Sequence, residues 1–418
     1  MKRKSFEEPT RLTRSIALGL LCALGLASRA HSQDLDAPRF SVRGFGTFAA
    51  TTHDAEGLEF RRSVDQAKGV DEGQVDFAVD SQAGVQVNLE LATHFDAVVQ
   101  SVTRMHADGN WTPRISQGFV RYSPDEELVF RVGRVGYDIY LLAESRQVGY
   151  SYVSLRQPPE FYGIVTNDQV DGGDASITFR VGPGLARARA FGGTSSQESA
   201  FIDGTNVENS DRVLGASFDY LYGGWTARVA LLRFRFDTNP GFPPLIGALR
   251  ATFSPQAAAI ADNLDHKEYE SRAVQLGLAY DDGPLQAQLL FGTSNGDPIV
   301  APEFNKLYAL VGYRVRQWTP FVSYATSRDR HPILGTGLPD IPQLAPLEGA
   351  VRAIQQSFRS TQHTISAGAR FDLSEHVDFK VQIDRMSLGE TSLIFDHRLP
   401  PGGPASMTVL AASIDFVF

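Results

Sequence analysis

Cysteine is almost absent from this chain: Cys22 is the only one. A single thiol excludes an intrachain disulfide, and nothing beyond position 22 can be a cysteine metal ligand or nucleophile. Positive charge is short as well. Lys and Arg total 39 against 48 Asp and Glu, which argues against nucleic-acid binding, because that needs a basic footprint. Long hydrophobic runs are missing too. Mean hydropathy is −0.17, and past the N-terminal region no apolar run approaches the roughly 20 residues of a spanning helix. A helical membrane protein is therefore excluded. A β-barrel is not, because only alternate residues of each strand meet lipid and polar loops dilute the average. Catalytic and metal constellations are also lacking. His53, His94, His106, His266, His331, His363, His376 and His397 scatter over loops and turns. No catalytic residue, metal or cofactor is predicted.

What the N-terminus does contain is an export signature. Lys2, Arg3, Lys4, Arg11 and Arg14 precede the apolar stretch Ile16–Ala27, and Ala30-His31-Ser32 has the spacing of a cleavage site. This predicts a cleaved signal peptide over residues 1–32 and a mature chain over 33–418. Leu21 before Cys22 argues against lipidation. Removing residues 1–32 takes away six basic and two acidic residues and moves the formal charge from −9 to −13.

Period-two alternation fills the mature chain. Val75, Phe77 and Val79, then Val85, Val87, Leu89 and Leu91, share one parity. Ile177, Phe179 and Val181 do the same, as do Val274, Leu276, Leu278 and Tyr280. Further on, Leu307–Val315 and Val377–Ile383 repeat the pattern, each apolar face opposed by Gln, Asp, Arg, Lys or Gly. One apolar face at period two is the signal of a half-buried strand. Short turns are read near Thr93-His94-Phe95, Pro124-Asp125-Glu126, Pro183-Gly184, Gly223-Gly224, Asp281–Pro284, Arg316-Gln317 and Ser374-Glu375-His376. Aromatics flank them, among them Tyr122, Tyr220, Tyr222, Trp225, Tyr280, Trp318 and Phe371, as an interfacial girdle requires. Longer loops fall near 52–73, 106–114, 135–172, 195–210, 238–269, 295–305, 329–359 and 389–403. Pro255–Leu264 and Leu347–Ile354 read as short helices within two of them. Short and long connections alternate strictly. They predict an all-β fold: a transmembrane antiparallel β-barrel of about 16 strands, with both ends on the short-turn side.

The last strand, Val409–Phe418, alternates Leu410, Ala412, Ile414, Phe416 and Phe418 against a more polar face. The run Arg43-Gly44-Phe45-Gly46 has glycines at the spacing of a nucleotide loop, but no helix follows, and close packing of the first strand explains it better. With its signal peptide, sixteen-strand layout, terminal Phe416 and Phe418, and one long loop after the fifth strand, the chain resembles the Gram-negative general porin family. The resemblance covers essentially the whole mature chain. It implies an outer-membrane location, a homotrimer, contact with lipid and lipopolysaccharide, and recognition of Phe416 and Phe418 by barrel-assembly machinery. It also implies a third loop, here about 135–172, folded inward to narrow a water-filled channel for small hydrophilic solutes and ions.

In that reading Asp138, Glu144 and Glu160 of the loop face wall cations and set a field across the constriction. The wall candidates on the polar parity are Arg43, Arg180, Arg187, Arg189, Arg314, Arg370 and Lys380. Arg146 and Arg156 are read as constriction residues or as anchors paired to the loop's own acids, and Pro158-Pro159 as a bend. Acid excess argues for cations and the strand arginines for anions; the sequence leaves both open. The runner-up is a substrate-specific channel for sugar, anion or phosphate. An outer-membrane hydrolase and a plugged structural or adhesin barrel are further alternatives.

Overall fold

The computed structural model describes residues 39–141, 143–163, 169–200, 206–236, 242–265, 268–297, 303–330, 333–357, 359–391, 394–396 and 405–418. The proposed signal peptide, His266, His331 and His397 lie outside the described residues. Sixteen strands form one closed antiparallel barrel. They are β1 Phe40–His53, β2 Gln82–Ala92, β3 Phe95–Arg104, β4 Arg114–Tyr122, β5 Leu128–Gly136, β6 Gln169–Val181, β7 Gly184–Ala200 and β8 Asn206–Tyr222. The second half comprises β9 Trp225–Phe236, β10 Tyr269–Asp282, β11 Leu285–Asp297, β12 Phe304–Tyr313, β13 Trp318–Asp329, β14 Ser360–Asp372, β15 Val377–Thr391 and β16 Ala405–Val417. Each strand pairs with its sequence neighbours, and β1 closes the ring by pairing with both β2 and β16.

The alternation dictates two faces. On β12, Val311 and Tyr313 are exposed while Lys306, Tyr308 and Leu310 are buried. On β15, Val381 and Ile383 are exposed while Lys380, Gln382 and Asp384 are buried. These strands carry an exposed apolar parity and a buried one on which polar and apolar residues mix. At the short-turn rim the aromatics pair across strands. Trp225 lies 4.8 Å from Tyr280, Trp318 4.6 Å from Phe371 and Phe95 4.6 Å from Tyr122, measured between ring centroids. The tight β8–β9 hairpin needs φ > 0 at both turn residues, and Gly223 and Gly224 supply it at 56° and 79°.

The closing seam explains the early glycines. The Phe418 ring covers Gly44 and the Phe416 ring covers Gly46, so a Cβ at either glycine would collide with an aromatic ring. Gly44 and Phe418 also exchange backbone bonds of 2.9 and 3.0 Å.

Three local readings need correction. Residues 75–79 are not a strand; a single bridge, Thr51 to Asp76, ties them to β1, and Val79 is buried while Val75 and Phe77 are exposed. The region 195–210 is mostly ladder, because β7 and β8 stay paired from Asn206↔Ala200 inward. The long connections also hold a small sheet that alternation did not reveal, Leu58–Phe60, Val70–Asp71 and Ile394–Asp396, and, among the described residues, four helices, of which Pro255–Leu264 was expected with those bounds and Ala345–Ser357 over most of its length. Those helices are α1 Pro159–Tyr162, α2 Pro243–Ala251, α3 Pro255–Leu264 and α4 Ala345–Ser357. The last three share an apolar cluster built on Leu249, Ile260, Leu264 and Val351, with Phe236 and Tyr269 of β9 and β10.

Candidate functional site

The connection between β5 and β6 is too aromatic to stand in water, and burial is the outcome. Tyr137, Ile139, Tyr140, Val153, Phe161 and Tyr162 are all buried. They belong to one apolar cluster with Phe191 of β7, Val213 of β8, Leu232 of β9, Leu290 of β11, Tyr308 of β12 and Phe321 of β13. Tyr140 clasps the segment on itself, with ring centroids 5.4 Å from Phe161 and 4.5 Å from Tyr162. Pro158 caps α1 and Pro159 opens it, a position where the missing N–H costs nothing.

Charged groups then tie this segment to opposite sides of the ring. Near its start, Asp138 accepts from Arg228 at 2.8 Å and Ser217 at 3.1 Å, and Arg189 lies 2.9 Å away. Arg228 also donates to Asp219 at 2.5 Å, which Arg187 reaches at 3.0 Å. Glu144 meets Arg189 at 2.8 Å and Arg131 at 3.2 Å. The two acids differ in access: the Asp138 side chain is 2 % exposed and that of Glu144 44 %. Burial raises the Asp138 carboxyl above the usual range against the pull of Arg228.

Farther along, Gly149 sits at the seam, where a Cβ would meet Asp415 and Thr47. Lys380 donates to the Gly149 carbonyl at 2.7 Å, lies 3.1 Å from Asp415 and stands 5.0 Å from the Tyr152 ring centroid. Arg370 donates to the Tyr150 carbonyl at 2.6 Å and pairs with Asp378 and Asp372 at 3.2 and 2.7 Å. Arg156 makes a two-pronged bond to Asp80, at 3.0 and 2.7 Å, pairs with Asp384, and stacks 5.3 Å from the Phe60 ring centroid. It therefore pairs with acids outside its own segment, not with loop acids as the sequence suggested. Among the described residues Glu160 makes no ion pair. It accepts from Gln362 at 2.7 Å and from Thr364, and its Oε2 finds no hydrogen-bond partner among the described residues. Desolvation by complete burial raises its carboxyl.

The remaining candidates lie elsewhere. Arg43 and Arg180 are exposed and make no ion pair among the described residues. Arg314 sits at the short-turn rim with Asp281 at 2.6 Å and the Gly283 carbonyl at 2.9 Å. Arg146 flanks Gln147, whose carbonyl accepts from Gln82 at 2.8 Å. Sequence reasoning missed Arg131, Arg228, Asp80, Asp219 and Asp384. For both Asp384 and Asp80 the available signal was polar parity, shared with Lys380 and Gln382 in one case and with Gln82 and Gln86 in the other.

Over this arrangement lies the β1–β2 connection. Val64 N–H donates to the Gly163 carbonyl at 2.9 Å, and Arg61 donates to the Ala200 carbonyl of β7 at 2.7 Å. Beneath it, toward the short turns, a cavity of about 510 Å³ opens beside Tyr150–Ser154, lined by Thr226, Gln288, Arg314, Thr319 and Arg370 among others. His53, His94 and His106 contact the carbonyls of Val70, Ser123 and Thr112 at 2.7, 2.9 and 3.1 Å, but His53 ends β1 and His363 lies within β14 rather than in a loop. Among the described residues no group of three or more His, Cys, Asp and Glu is placed to hold a metal ion.

The class that this fold defines is the closed sixteen-strand antiparallel barrel with an exposed apolar face. No protein-family model matches the sequence, and no curated protein matches it. Solved structures do match in shape. The chain is similar to OmpF of Salmonella typhi in complex with daunomycin, at 13 % identity and TM-score 0.53, over 93 % of this chain and 100 % of that one. The outer membrane channel DcaP of Acinetobacter baumannii matches at 12 % identity and TM-score 0.51, over 93 % and 100 %. A loop L8 deletion mutant of OmpT, an outer membrane protein of Vibrio cholerae, matches at 9 % identity and TM-score 0.52, over 92 % and 100 %. At these identities the likeness is one of fold.

Proposed function

We propose that this chain is an outer-membrane channel for the passive diffusion of small hydrophilic solutes and ions, exported through a cleaved signal peptide over residues 1–32. The exposed apolar parity meets lipid, and the aromatic pairs at the short turns lie at one interface. The polar parity faces the lumen, and residues 137–163 fold into it as the constriction. One observation carries this reading. The same short segment bonds to Arg228 of β9 at Asp138 and to Lys380 of β15 at Gly149, which packs close to Thr47 of β1 and Asp415 of β16, and β9 and β1 stand on opposite sides of a sixteen-strand ring. A segment reaching both walls spans the interior. Transport then requires only water, width and a favourable field, and no bond making.

In this reading Asp138, Glu144, Arg146, Arg156 and Glu160 belong to the constriction, with Arg187, Arg189, Arg370 and Lys380 on the facing wall and Arg43, Arg180 and Arg314 nearer the short-turn rim. Phe416 and Phe418 serve barrel assembly. A homotrimer and contact with lipopolysaccharide follow from the resemblance to general porins. A second reading, the plugged barrel, is favoured by the apolar cluster joining the segment to β7 through β13. Refolding the chain and recording conductance across a planar bilayer separates the two. Discrete steps support the channel; silence from a barrel that migrates as folded on heat-modifiable gels supports the plug.

A further inference from the structure

The cavity of about 510 Å³ toward the short turns lies between residues 150–157 of the long connection and the wall of β9 through β14. Its volume falls in the range of small-molecule sites, roughly 300–1,000 Å³. Two arginines and two aspartates line it, and they neutralise one another. Arg314 lies 2.6 Å from Asp281 and donates to the Gly283 carbonyl at 2.9 Å. Arg370 lies 2.7 Å from Asp372 and 3.2 Å from Asp378, donates to the Tyr150 carbonyl and stands 4.4 Å from the Tyr150 ring centroid. A charged ligand would have to compete with one of these pairs for its counter-charge.

The polar groups left uncommitted are neutral. Gln157 of the long connection, Thr226 of β9, Gln288 of β11 and Thr319 of β13 line the cavity, and their side chains make no hydrogen bond to another described residue. An amide or a hydroxyl both donates and accepts. The set therefore matches a ligand whose own groups do both. A hydroxyl does; a carboxylate only accepts and an ammonium only donates. Apolar surface lies among these groups, from Leu141, Leu310 and the rings of Tyr152 and Tyr308. A pyranose has the same two-sided character, with hydroxyls around its edge and C–H groups on its faces. Aromatic rings, negative on their faces, pack well against such C–H groups.

We propose that this cavity is a binding site for a neutral polyhydroxylated solute, of the class of a mono- or disaccharide. Gln157 holds it from the side of the long connection, and Thr226, Gln288 and Thr319 hold it from the barrel wall. The proposal rests on the channel reading above and names the class of solute that the channel retains on its way through. A site on a diffusion route must be favourable enough to enter and weak enough to leave. Four neutral groups without a charge contact meet that condition, because hydrogen bonds between uncharged groups are the weaker kind.

The test is binding of glucose and sucrose to the refolded barrel in a detergent without a sugar headgroup, followed by saturation-transfer NMR, with folding checked by gel migration. Both sugars should bind saturably, with dissociation constants in the millimolar range. Gluconate and glucosamine, which keep the skeleton and add a charge, should bind more weakly than glucose. Gln157→Leu, Gln288→Leu and Thr319→Val should each weaken sucrose binding about fivefold, the worth of one net hydrogen bond. No saturable sugar binding, tighter binding of either charged analogue, or an affinity unmoved by all three variants overturns the site. Conductance of the same preparation in a planar bilayer separates this from the channel reading. Discrete steps without sugar binding remove the site and leave the channel standing. Sugar binding by a folded barrel that conducts nothing keeps the site and removes the channel.

Discussion

Arg156 is the strongest single tie between the long connection and the rest of the barrel, and its removal should be costly in a diagnostic way. Its side chain is 2 % exposed, and those of Asp80 and Asp384 are 1 % and 5 % exposed. Arg156→Met keeps most of the stem that packs on Phe60 but leaves two carboxylates buried without their cation. Breaking a buried pair this way costs about 3–5 kcal/mol, so about 4 kcal/mol is expected. With a urea slope of about 2 kcal/mol per molar, the unfolding midpoint falls by about 2 M. Tryptophan fluorescence in lipid vesicles is a suitable readout, since Trp225 and Trp318 sit at the short-turn rim. The triple variant Arg156→Met, Asp80→Asn, Asp384→Asn should recover most of the loss, because no orphan charge remains. A loss below about 1 kcal/mol for the single variant, or a triple variant no better than the single, would refute the claim that this ion network anchors the segment.

Three further outcomes follow from the same geometry. Gly149→Val drives a side chain into Asp415 and Thr47, so the barrel should lose about 1–3 kcal/mol in urea unfolding, and channel recordings should become noisier as residues near 149 leave the seam. Asp138→Asn should cost only about 1–2 kcal/mol, because Arg189 keeps Glu144 and Arg228 keeps Asp219; a much larger loss would show that Asp138 is the sole anchor at that wall. Glu160 should make stability pH-dependent. Its folded carboxyl is raised above the unfolded value of about 4.3, so the folded state holds a proton the unfolded chain has released. Stability from this group is therefore lost as pH rises through that window. Urea midpoints between pH 4 and 8 should fall less steeply in Glu160→Gln, and identical slopes would contradict the assignment.

The barrel was legible because its physics is local. Alternation at Val377–Ile383 or Leu307–Val315 marks which face is apolar without any knowledge of neighbours, and Gly223-Gly224 or Asp281–Pro284 mark turns by backbone chemistry alone. The alternation of short and long connections then set the strand number, and the ring of sixteen has it. Helix α3 was also readable, since Pro255 and the alanine-rich run behind it are local signals. Helix α2 and the small sheet in the connections were not. Their residues make sense only through each other, as Leu249 does against Ile260 or Phe60 against Met386.

The sequence by itself thus determined the kind of wall this chain builds: period-two strands, turn residues and a first strand whose Gly44 and Gly46 allow close packing, while the structure decided that the rings of Phe418 and Phe416 are what they meet. It also showed that the connection after β5 was too aromatic to stay in water. What the tertiary structure alone decided is which charges meet. Arg156 and Asp384 are more than two hundred positions apart, and Lys380 finds the Gly149 carbonyl. Parity along a strand tells which face a side chain takes, but not its height or its partner across the ring. Those depend on register, closure and the path of a long connection, all of which are fixed only when the whole ring has formed.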